Sequence, residues 1–256
     1  MAVIAGMDRF REWFAEHQDQ FVLIGGCAAS TVMNEEGLEF RATKDIDMVL
    51  VVEALTPKFG ELFWAFIKAG GYEIKQQSDT GKPCFYRFGR PQDLSFPAMV
   101  ELFARTPDLI SPLADNNNLA PIPIEEGVSS LSAILLDDAY YHFLVTGRDI
   151  VRGIPLIRED RLIPFKAKAF LDLSDRGEDS KKVRKHLSDV VELTVLLAPN
   201  TRIDLPGQIP DDMRRFLEVA SALPDNALAR YGGRARFDHV LASIAKAFQL
   251  GDPVTA

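Results

Sequence analysis

Residues 21–31 read FVLIGGCAAST and residues 45–52 read DIDMVLVV, and these two stretches indicate how the N-terminal half is built. The first has a short apolar run, a glycine pair and then small residues, which predicts a strand, a tight turn and a helix. The second opens with two aspartates and continues as a β-rich apolar run, which predicts another strand. Thr56 and Pro57 then predict the start of a helix that ends near Gly70.

Further helical and strand patterns flank these stretches. Residues 7–18 have the apolar spacing of an amphipathic helix. Residues 106–127 contain three consecutive asparagines and several prolines, which predicts a long loop within the same domain. Additional strands are predicted at residues 72–77, 84–88 and 98–104.

The second half of the chain changes to helical periodicity. Four amphipathic stretches separated by Pro, Gly and Asn are found at residues 162–176, 180–197, 211–223 and 237–250. We therefore predict an α+β fold. Residues 1–158 form a mixed α/β domain with a small mixed β-sheet flanked by helices, and residues 159–256 form a helical domain.

The composition limits the class of protein. With 256 residues, 47% of them apolar and 26% charged, the chain has the composition of a soluble globular protein. Cys27 and Cys84 are too few for a disulfide framework or a cysteine-ligated zinc site. The sequence shows no membrane-length apolar run and no signal peptide, so a cytoplasmic protein with no membrane partner is expected.

The charge is unevenly distributed along the chain. A net charge of −8 argues against a protein that coats nucleic acid, because neutralising phosphates requires an excess of Lys and Arg. Residues 45–149 carry a net charge of −7, whereas residues 150–190 carry +3. An acidic half followed by a basic segment fits a site for metal ions and a polyphosphate, although chance also produces such a pattern.

Asp45 and Asp47 open an otherwise apolar strand and are the most informative residues of the sequence. Side chains alternate along a strand, so both carboxylates point to one face. Hard divalent cations such as Mg²⁺ take oxygen ligands of this kind. The competing interpretation is that both acids are simply solvated at the edge of a sheet.

Two further features favour a site at this place. Glu101 lies within the apolar run MVELF, where an acid must form an ion pair, bind a metal or face solvent. Gly25 and Gly26 end one predicted strand and begin a helix, where backbone N–H groups and the helix dipole suit a phosphate. Taken alone, Glu101 can equally be an outward-facing residue, and a glycine pair is commonly only a turn.

Together these residues resemble the signature of a known enzyme group. They are similar to motifs of the nucleotidyltransferases of the DNA polymerase β superfamily. The similar segments are Gly25-Gly26, the run Arg41-x-Thr43-x-Asp45-Ile46-Asp47 and the segment Val100-Glu101-Leu102. The closer similarity is to the AbiEii/AbiGii toxin-type family. In the helical half, Lys168-x-x-x-Asp172 is similar to that family's lysine motif, and Lys185-His186-x-x-Asp189 matches a later motif in part.

The resemblance implies a polymerase β-like core, followed by a helical domain that closes over an NTP. Asp45, Asp47 and Glu101 are then the metal ligands for Mg²⁺ or Mn²⁺, and with Lys168 they are the catalytic residues. The nucleotide-binding residues implied are Gly25, Gly26, Arg41, Thr43, Lys168 and Asp172. We prefer Lys168 to Lys166 for this role because Asp172, four residues further on, can orient it; the alternative is an ordinary surface pair.

The expected activity is transfer of an NMP from an NTP, ATP among them, to an acceptor. The sequence does not identify the acceptor: RNA such as tRNA, a protein hydroxyl and a small molecule all remain open. The resemblance implies a role as the toxin of a toxin–antitoxin or phage-defence system, with a cognate antitoxin as partner. If the acceptor is RNA, the basic residues 181–185 and Arg176 are candidates for phosphate contacts.

Two alternatives remain open at this point. One is a non-catalytic protein that keeps the fold and binds a nucleotide or a partner. The other is a glycosyltransferase in which the two aspartates hold a metal on a nucleotide-sugar; it gains support if Glu101 lies far from them. The four histidines have no metal-ligand spacing and are interpreted as structural, and Asp137-Asp138 is predicted as a turn or strand end.

Overall fold

The computed structural model describes residues 4–74, 84–104, 134–135, 137–178 and 180–251. The fold is α+β with a mixed sheet, as predicted. The chain divides into two compact units, one with residues 1–136 and 144–158 and one with residues 137–143 and 159–256. Residues 137–143, predicted as part of the first domain, belong to the second unit.

A seven-stranded sheet is the centre of the first unit. Its strands are β1 (Phe21–Ile24), β2 (Asp45–Leu50), β3 (Glu73–Ile74), β4 (Cys84–Gly89), β5 (Met99–Ala104), β6 (Arg148–Val151) and β7 (Ile154–Ile157). Their order across the sheet is β3-β4-β5-β2-β1-β7-β6. β2 is parallel to β5 and β1 is parallel to β7, while all other neighbours are antiparallel. This order places β2 at the middle of the sheet, between β1 and β5.

The hairpin of β6 and β7 is an element that the sequence analysis does not predict. Its two-residue loop consists of Arg152 and Gly153, which both have positive φ, 52° and 77°. Such a loop matches the twist of the paired strands, and the glycine adopts it without strain. The guanidinium of Arg152 also donates a hydrogen bond of 3.1 Å to the Asn34 carbonyl. The hairpin adds two strands beside β1.

The helices α1 (Met7–Trp13), α2 (Gly25–Glu35) and α3 (Pro57–Gly70) also belong to the first unit. α1 is shorter than the predicted helix over residues 7–18, and a 3₁₀ turn at Ala15–His17 takes the place of its last turn. α2 begins directly after β1, so the two predicted glycines form its first turn.

An aromatic core covers one face of the sheet. Phe21 of β1 lies 5.7 Å from Phe10 of α1 and 6.2 Å from Phe59 of α3, measured between ring centroids. Phe88 of β4 lies 5.5 Å from Phe63 of α3. These strand residues lie on the face opposite to Asp47, as the register of the sheet shows. The core therefore leaves the aspartate face to α2 and the loop that follows it.

Thr56 caps α3 as predicted, and its loss is expected to destabilise the protein. The Phe59 amide donates to Thr56 Oγ1 at 3.2 Å, and Thr56 Oγ1 donates to the Gln20 side chain at 3.0 Å. Thr56→Ala removes both bonds and is expected to lower the free energy of unfolding by about 1–2 kcal/mol. Urea denaturation measures the change. Thr201→Ala, at a threonine outside any helix or strand, is the control, and an equal loss in both variants would contradict the assignment.

The second unit is helical over its described residues. Its helices are α4 (Asp138–Thr146), which ends in the first unit, α5 (Glu159–Asp175), α6 (Ser180–Leu193), α7 (Ile209–Ser221), α8 (Asp225–Leu228) and α9 (Arg234–Ala247). The four predicted helical stretches are confirmed as α5, α6, α7 and α9. The predicted loop over residues 106–127 lies outside the described residues.

The prediction that Asp137 and Asp138 form a turn or strand end is wrong. The amides of Ala139 and Tyr140 donate to Asp137 Oδ1 at 2.9 and 3.1 Å. Asp137 is therefore the N-cap of α4, and Asp138 is the first residue of that helix. An aspartate before an apolar run fits both a strand end and a helix cap, which is why the sequence pattern misleads here.

Candidate functional site

The register of β2 and β5 brings the predicted carboxylates to one region of the sheet. Asp47 is paired with Glu101, and Asp45 is paired with Met99. Neighbouring strands lie about 4.8 Å apart, so the backbones at positions 47 and 101 are adjacent and their side chains share a face. The strands that carry Asp47 and Glu101 are thus adjacent in the sheet. The large separation that would favour a glycosyltransferase is not found.

The Asp47 carboxylate lies against the first residue of α2. Gly25 has a φ of +70°, a conformation that L-residues with side chains rarely adopt. A Cβ atom built on Gly25 would be 1.8 Å from Asp47 Oδ2, so a side chain at this position would force the carboxylate to move. The glycine is therefore needed both for the backbone turn after β1 and for the close approach of the carboxylate.

The loop before β2 folds over the second glycine. A Cβ atom on Gly26 would be 3.0 Å from Thr43 Oγ1 and 3.1 Å from Arg41 Nη2. The structure therefore brings Gly25, Gly26, Arg41, Thr43 and Asp47 together around the first turn of α2. These residues are separated by up to 22 positions in the sequence, and all were predicted as parts of one site.

Glu101 forms an ion pair with Arg87, a residue that was not predicted as part of the site. Glu101 is 7% exposed, and its Oε1 accepts hydrogen bonds from Arg87 Nε at 2.7 Å and Arg87 Nη2 at 2.6 Å. Arg87 lies on β4 directly across from Glu101. A cation inside the strand pattern FYRFG is as unusual as an acid inside MVELF, and this matching pair was the signal available in the sequence.

The three carboxylates are suitable ligands for a hard divalent cation, since all of them offer oxygen donors. Their positions meet only part of what such a site needs. Asp45 and Asp47 are half-buried and offer the oxygen donors that Mg²⁺ takes. Glu101 has one of its oxygens committed to Arg87. Within the described ranges no group of three or more His, Cys, Asp or Glu side chains is close enough together to hold a metal ion. Binding by all three acids therefore requires Glu101 to share or leave its arginine.

Cys27 lies in the first turn of α2, where burial and the nearby Asp47 carboxylate both affect the pKa of its thiol. Burial raises the pKa of the Cys27 thiol, and the negative charge of Asp47 raises this pKa further. The thiol therefore stays protonated at physiological pH, where it is neither a nucleophile nor a metal ligand.

Because only the thiolate reacts with alkylating reagents, Cys27 is expected to resist iodoacetamide at pH 8 in the folded protein and to react fully once the protein is unfolded in urea. Mass spectrometry of the peptide that contains Cys27 measures the modified fraction. Rapid labelling of Cys27 in the folded protein would contradict its burial beside Asp47.

Lys168 forms the predicted contact with Asp172 and a second contact that was not predicted. Its Nζ lies 3.0 Å from Asp172 Oδ1 and 3.2 Å from Asp212 Oδ1. Burial lowers the pKa of Lys168, but the hydrogen bonds and charges of Asp172 and Asp212 outweigh it, and the pKa is raised. Tyr140, fully buried, donates to Asp212 Oδ2 at 3.0 Å. Lys168 is thus a charged lysine between two carboxylates of the second unit.

Lys166, two residues earlier, makes a different and deeper pair. Lys166 is 2% exposed and Asp189 is fully buried, with 2.8 Å between Nζ and Oδ2. The two lysines of α5 therefore lie on different faces, as expected from helical geometry. The carboxylate site lies in the first unit, and the two lysine pairs lie in the second.

Comparisons of the chain with protein-family models, with curated proteins and with solved structures return no match. Within the part of the chain that the structure describes, no helix combines the length and the apolar character needed to cross a membrane.

Proposed function

We propose that this chain is a Mg²⁺-dependent nucleotidyltransferase that moves an NMP from an NTP to a hydroxyl of an acceptor. The observation that carries the proposal is the close approach of the Asp47 carboxylate to Gly25, next to the paired positions of Asp47 and Glu101. The carboxylates that we assign to metal binding and the glycines that we assign to phosphate binding are therefore neighbours. The resemblance of the same residues to nucleotidyltransferase motifs supports the same activity.

Each residue of the first unit has a part in the proposed reaction. Asp45 and Asp47 bind Mg²⁺, which when bound stabilises negative charge on phosphoryl oxygens. Gly25 and Gly26 allow the triphosphate to approach the backbone of α2. Arg41 and Thr43, which surround Gly26, donate hydrogen bonds to phosphate oxygens.

The bond changes of the proposed reaction are those of phosphoryl transfer. The acceptor hydroxyl loses its proton to Glu101, and its oxygen forms a bond to the α-phosphorus. The bond between the α-phosphorus and the bridging oxygen breaks, and pyrophosphate leaves. Glu101 accepts this proton only after Arg87 has released the oxygen that it holds.

The proposal extends to the setting of the reaction. The substrates are an NTP, with ATP included, and an acceptor that is an RNA such as tRNA or a protein hydroxyl. We propose a cytoplasmic enzyme that acts as the toxin of a toxin–antitoxin or phage-defence pair and is controlled by a cognate antitoxin. These points rest on the resemblance of its motifs to toxin-type nucleotidyltransferases.

A transfer assay tests the activity. The protein is incubated with Mg²⁺, each α-labelled NTP in turn and total RNA or cell extract, and the label is followed on denaturing gels. We expect label on one class of acceptor, dependent on Mg²⁺ and lost in Asp45→Asn. Absence of transfer to any acceptor with every NTP would contradict the proposal.

One observation favours a second candidate, a non-catalytic protein that binds a nucleotide or a partner. Arg87 neutralises Glu101, as is typical of a structural ion pair between neighbouring strands. This candidate predicts that Asp45→Asn and Asp47→Asn leave any effect on cell growth intact. Loss of that effect in folded variants would exclude it.

A further inference from the structure

A pocket with a basic lining lies beside the candidate carboxylate site in the first unit. Its volume is ≈ 740 Å³, and its charged lining consists of Lys44, Arg87, Arg90 and Glu73. Three of these four side chains are cations. Arg87 and Arg90 lie within residues 45–149, which carry a net charge of −7, and Lys44 directly precedes this segment, so the lining is opposite in sign to the surrounding sequence.

The pocket borders the carboxylates directly. Lys44 precedes Asp45 in the chain, and Met99, which also lines the pocket, is paired with Asp45 across β2 and β5. Arg87 lines the pocket and at the same time holds Glu101. A ligand in this pocket is therefore next to the residues assigned to the transfer of NMP.

The cations of the pocket are available to an anionic ligand. Lys44 is exposed, and within the described residues it makes no ion pair. The side chain of Arg90 is 77% exposed and has one contact of 3.2 Å to Glu73, a kind of surface pair that is easily exchanged. Arg90 also has a φ of +50°, a conformation that costs free energy in a non-glycine residue and is commonly kept where it serves a function.

The lining also offers an apolar contact. Leu94 is 85% exposed and lines the pocket together with Met99. A single-stranded nucleic acid presents phosphates and flat apolar base faces in alternation, so its phosphates match the cations and a base face can pack on Leu94. A neutral peptide hydroxyl has no charge for the three cations to bind. The lining therefore favours a nucleic acid over a protein as the acceptor.

We propose that this pocket binds the phosphates and a base of a single-stranded nucleic acid, the acceptor of the transfer reaction. The assignment of this ligand as the acceptor rests on the proposed function. Arg87 connects the two sites, because a phosphate binds guanidinium in the same two-pronged way as a carboxylate does. A phosphate in the pocket thus competes with Glu101 for Arg87 and frees Glu101 only when the acceptor is present.

Binding of a labelled oligonucleotide tests the pocket without requiring catalysis. Fluorescence anisotropy measures the Kd of the full chain for a short single-stranded RNA at several salt concentrations, with no NTP added. Lys44→Glu and Arg90→Glu are each expected to weaken binding by about tenfold or more and to lower the slope of log K against log salt by about 0.7 for each lost phosphate contact. The same sequence as DNA shows whether the ribose 2′-hydroxyl contributes.

Lys58→Glu is the matched control, because Lys58 is an exposed lysine of the same unit outside the pocket and the change in net charge is identical. Binding by this variant should equal that of the wild type. Equal weakening in the control, no binding of RNA or DNA, or displacement of RNA by an acidic peptide would overturn the proposal.

Calorimetry of Mg²⁺-NTP binding by the same protein separates the two claims. If the protein binds nucleotide and does not bind RNA, the proposal of a nucleic-acid pocket is contradicted and the proposed transferase activity is not. RNA binding that depends on Lys44 and Arg90 without nucleotide binding supports the pocket as a nucleic-acid site and contradicts the transferase.

Discussion

Asp47→Asn is expected to reduce NMP transfer by roughly 100- to 1,000-fold, because metal coordination contributes several kcal/mol and 1.36 kcal/mol corresponds to a factor of ten in rate. Asparagine has the same shape as aspartate and still fits against Gly25, so the fold should be retained. The loss therefore comes from the missing charge and not from a change in packing. Initial rates of label transfer under saturating Mg²⁺ measure the effect.

The control for Asp47→Asn is Asp19→Asn, an exposed aspartate of the same unit outside the site. Its transfer rate should stay within about twofold of the wild type. Circular dichroism and thermal unfolding establish that both variants are folded. Wild-type rates in Asp47→Asn would show that this carboxylate takes no part in the reaction.

Lys166→Met is expected to lower the free energy of unfolding by about 3–5 kcal/mol, because it removes the cation that lies 2.8 Å from the carboxylate of the fully buried Asp189. The double variant Lys166→Met with Asp189→Leu removes both charges and should recover most of this loss. Denaturant unfolding of the two single variants and the double variant gives the coupling free energy. The size of the effect follows from burial, since an unpaired charge in the interior has no water to solvate it.

The exposed pair of Lys182 and Glu178 serves as the comparison for this buried pair. Its side chains are 59% and 37% exposed, and Lys182→Met should cost less than about 1 kcal/mol. A loss of similar size in Lys166→Met would mean that Asp189 finds another partner or water. A double variant less stable than either single variant would contradict the interpretation as an ion pair.

Much of the fold was predictable from local patterns. Thr56 and Pro57 are a typical N-cap residue and first helical residue, so the start of α3 could be predicted from two adjacent positions. The apolar periodicity of α5, α6, α7 and α9 extends over three or more turns, which is long enough to identify a helix. The hairpin of β6 and β7 was missed because its strands have only four residues each, too short for alternation to stand out. Asp137 was misread because a cap and a strand end use the same residue types.

The sequence was sufficient to predict which residues belong to the candidate site, and it was not sufficient to predict which of their side chains contact each other. Alternation along β2 places Asp45 and Asp47 on one face, and a lone acid in an apolar run singles out Glu101. Register across strands decides which neighbour an acid meets, and the sequence does not specify it. The ion pair of Glu101 with Arg87 and the contact of Lys168 with Asp212 both depend on such long-range pairing.

The central claim is that Asp45 and Asp47, beside Gly25 and Gly26, bind a metal–nucleotide complex. Isothermal titration calorimetry of NTP binding, with Mg²⁺ and with EDTA, tests it most directly in the wild type and in Asp45→Asn with Asp47→Asn. We predict binding in the wild type with Mg²⁺, and its loss both in EDTA and in the folded double variant. Binding that is the same in all of these conditions, or absent from the wild type with every NTP, would contradict the claim.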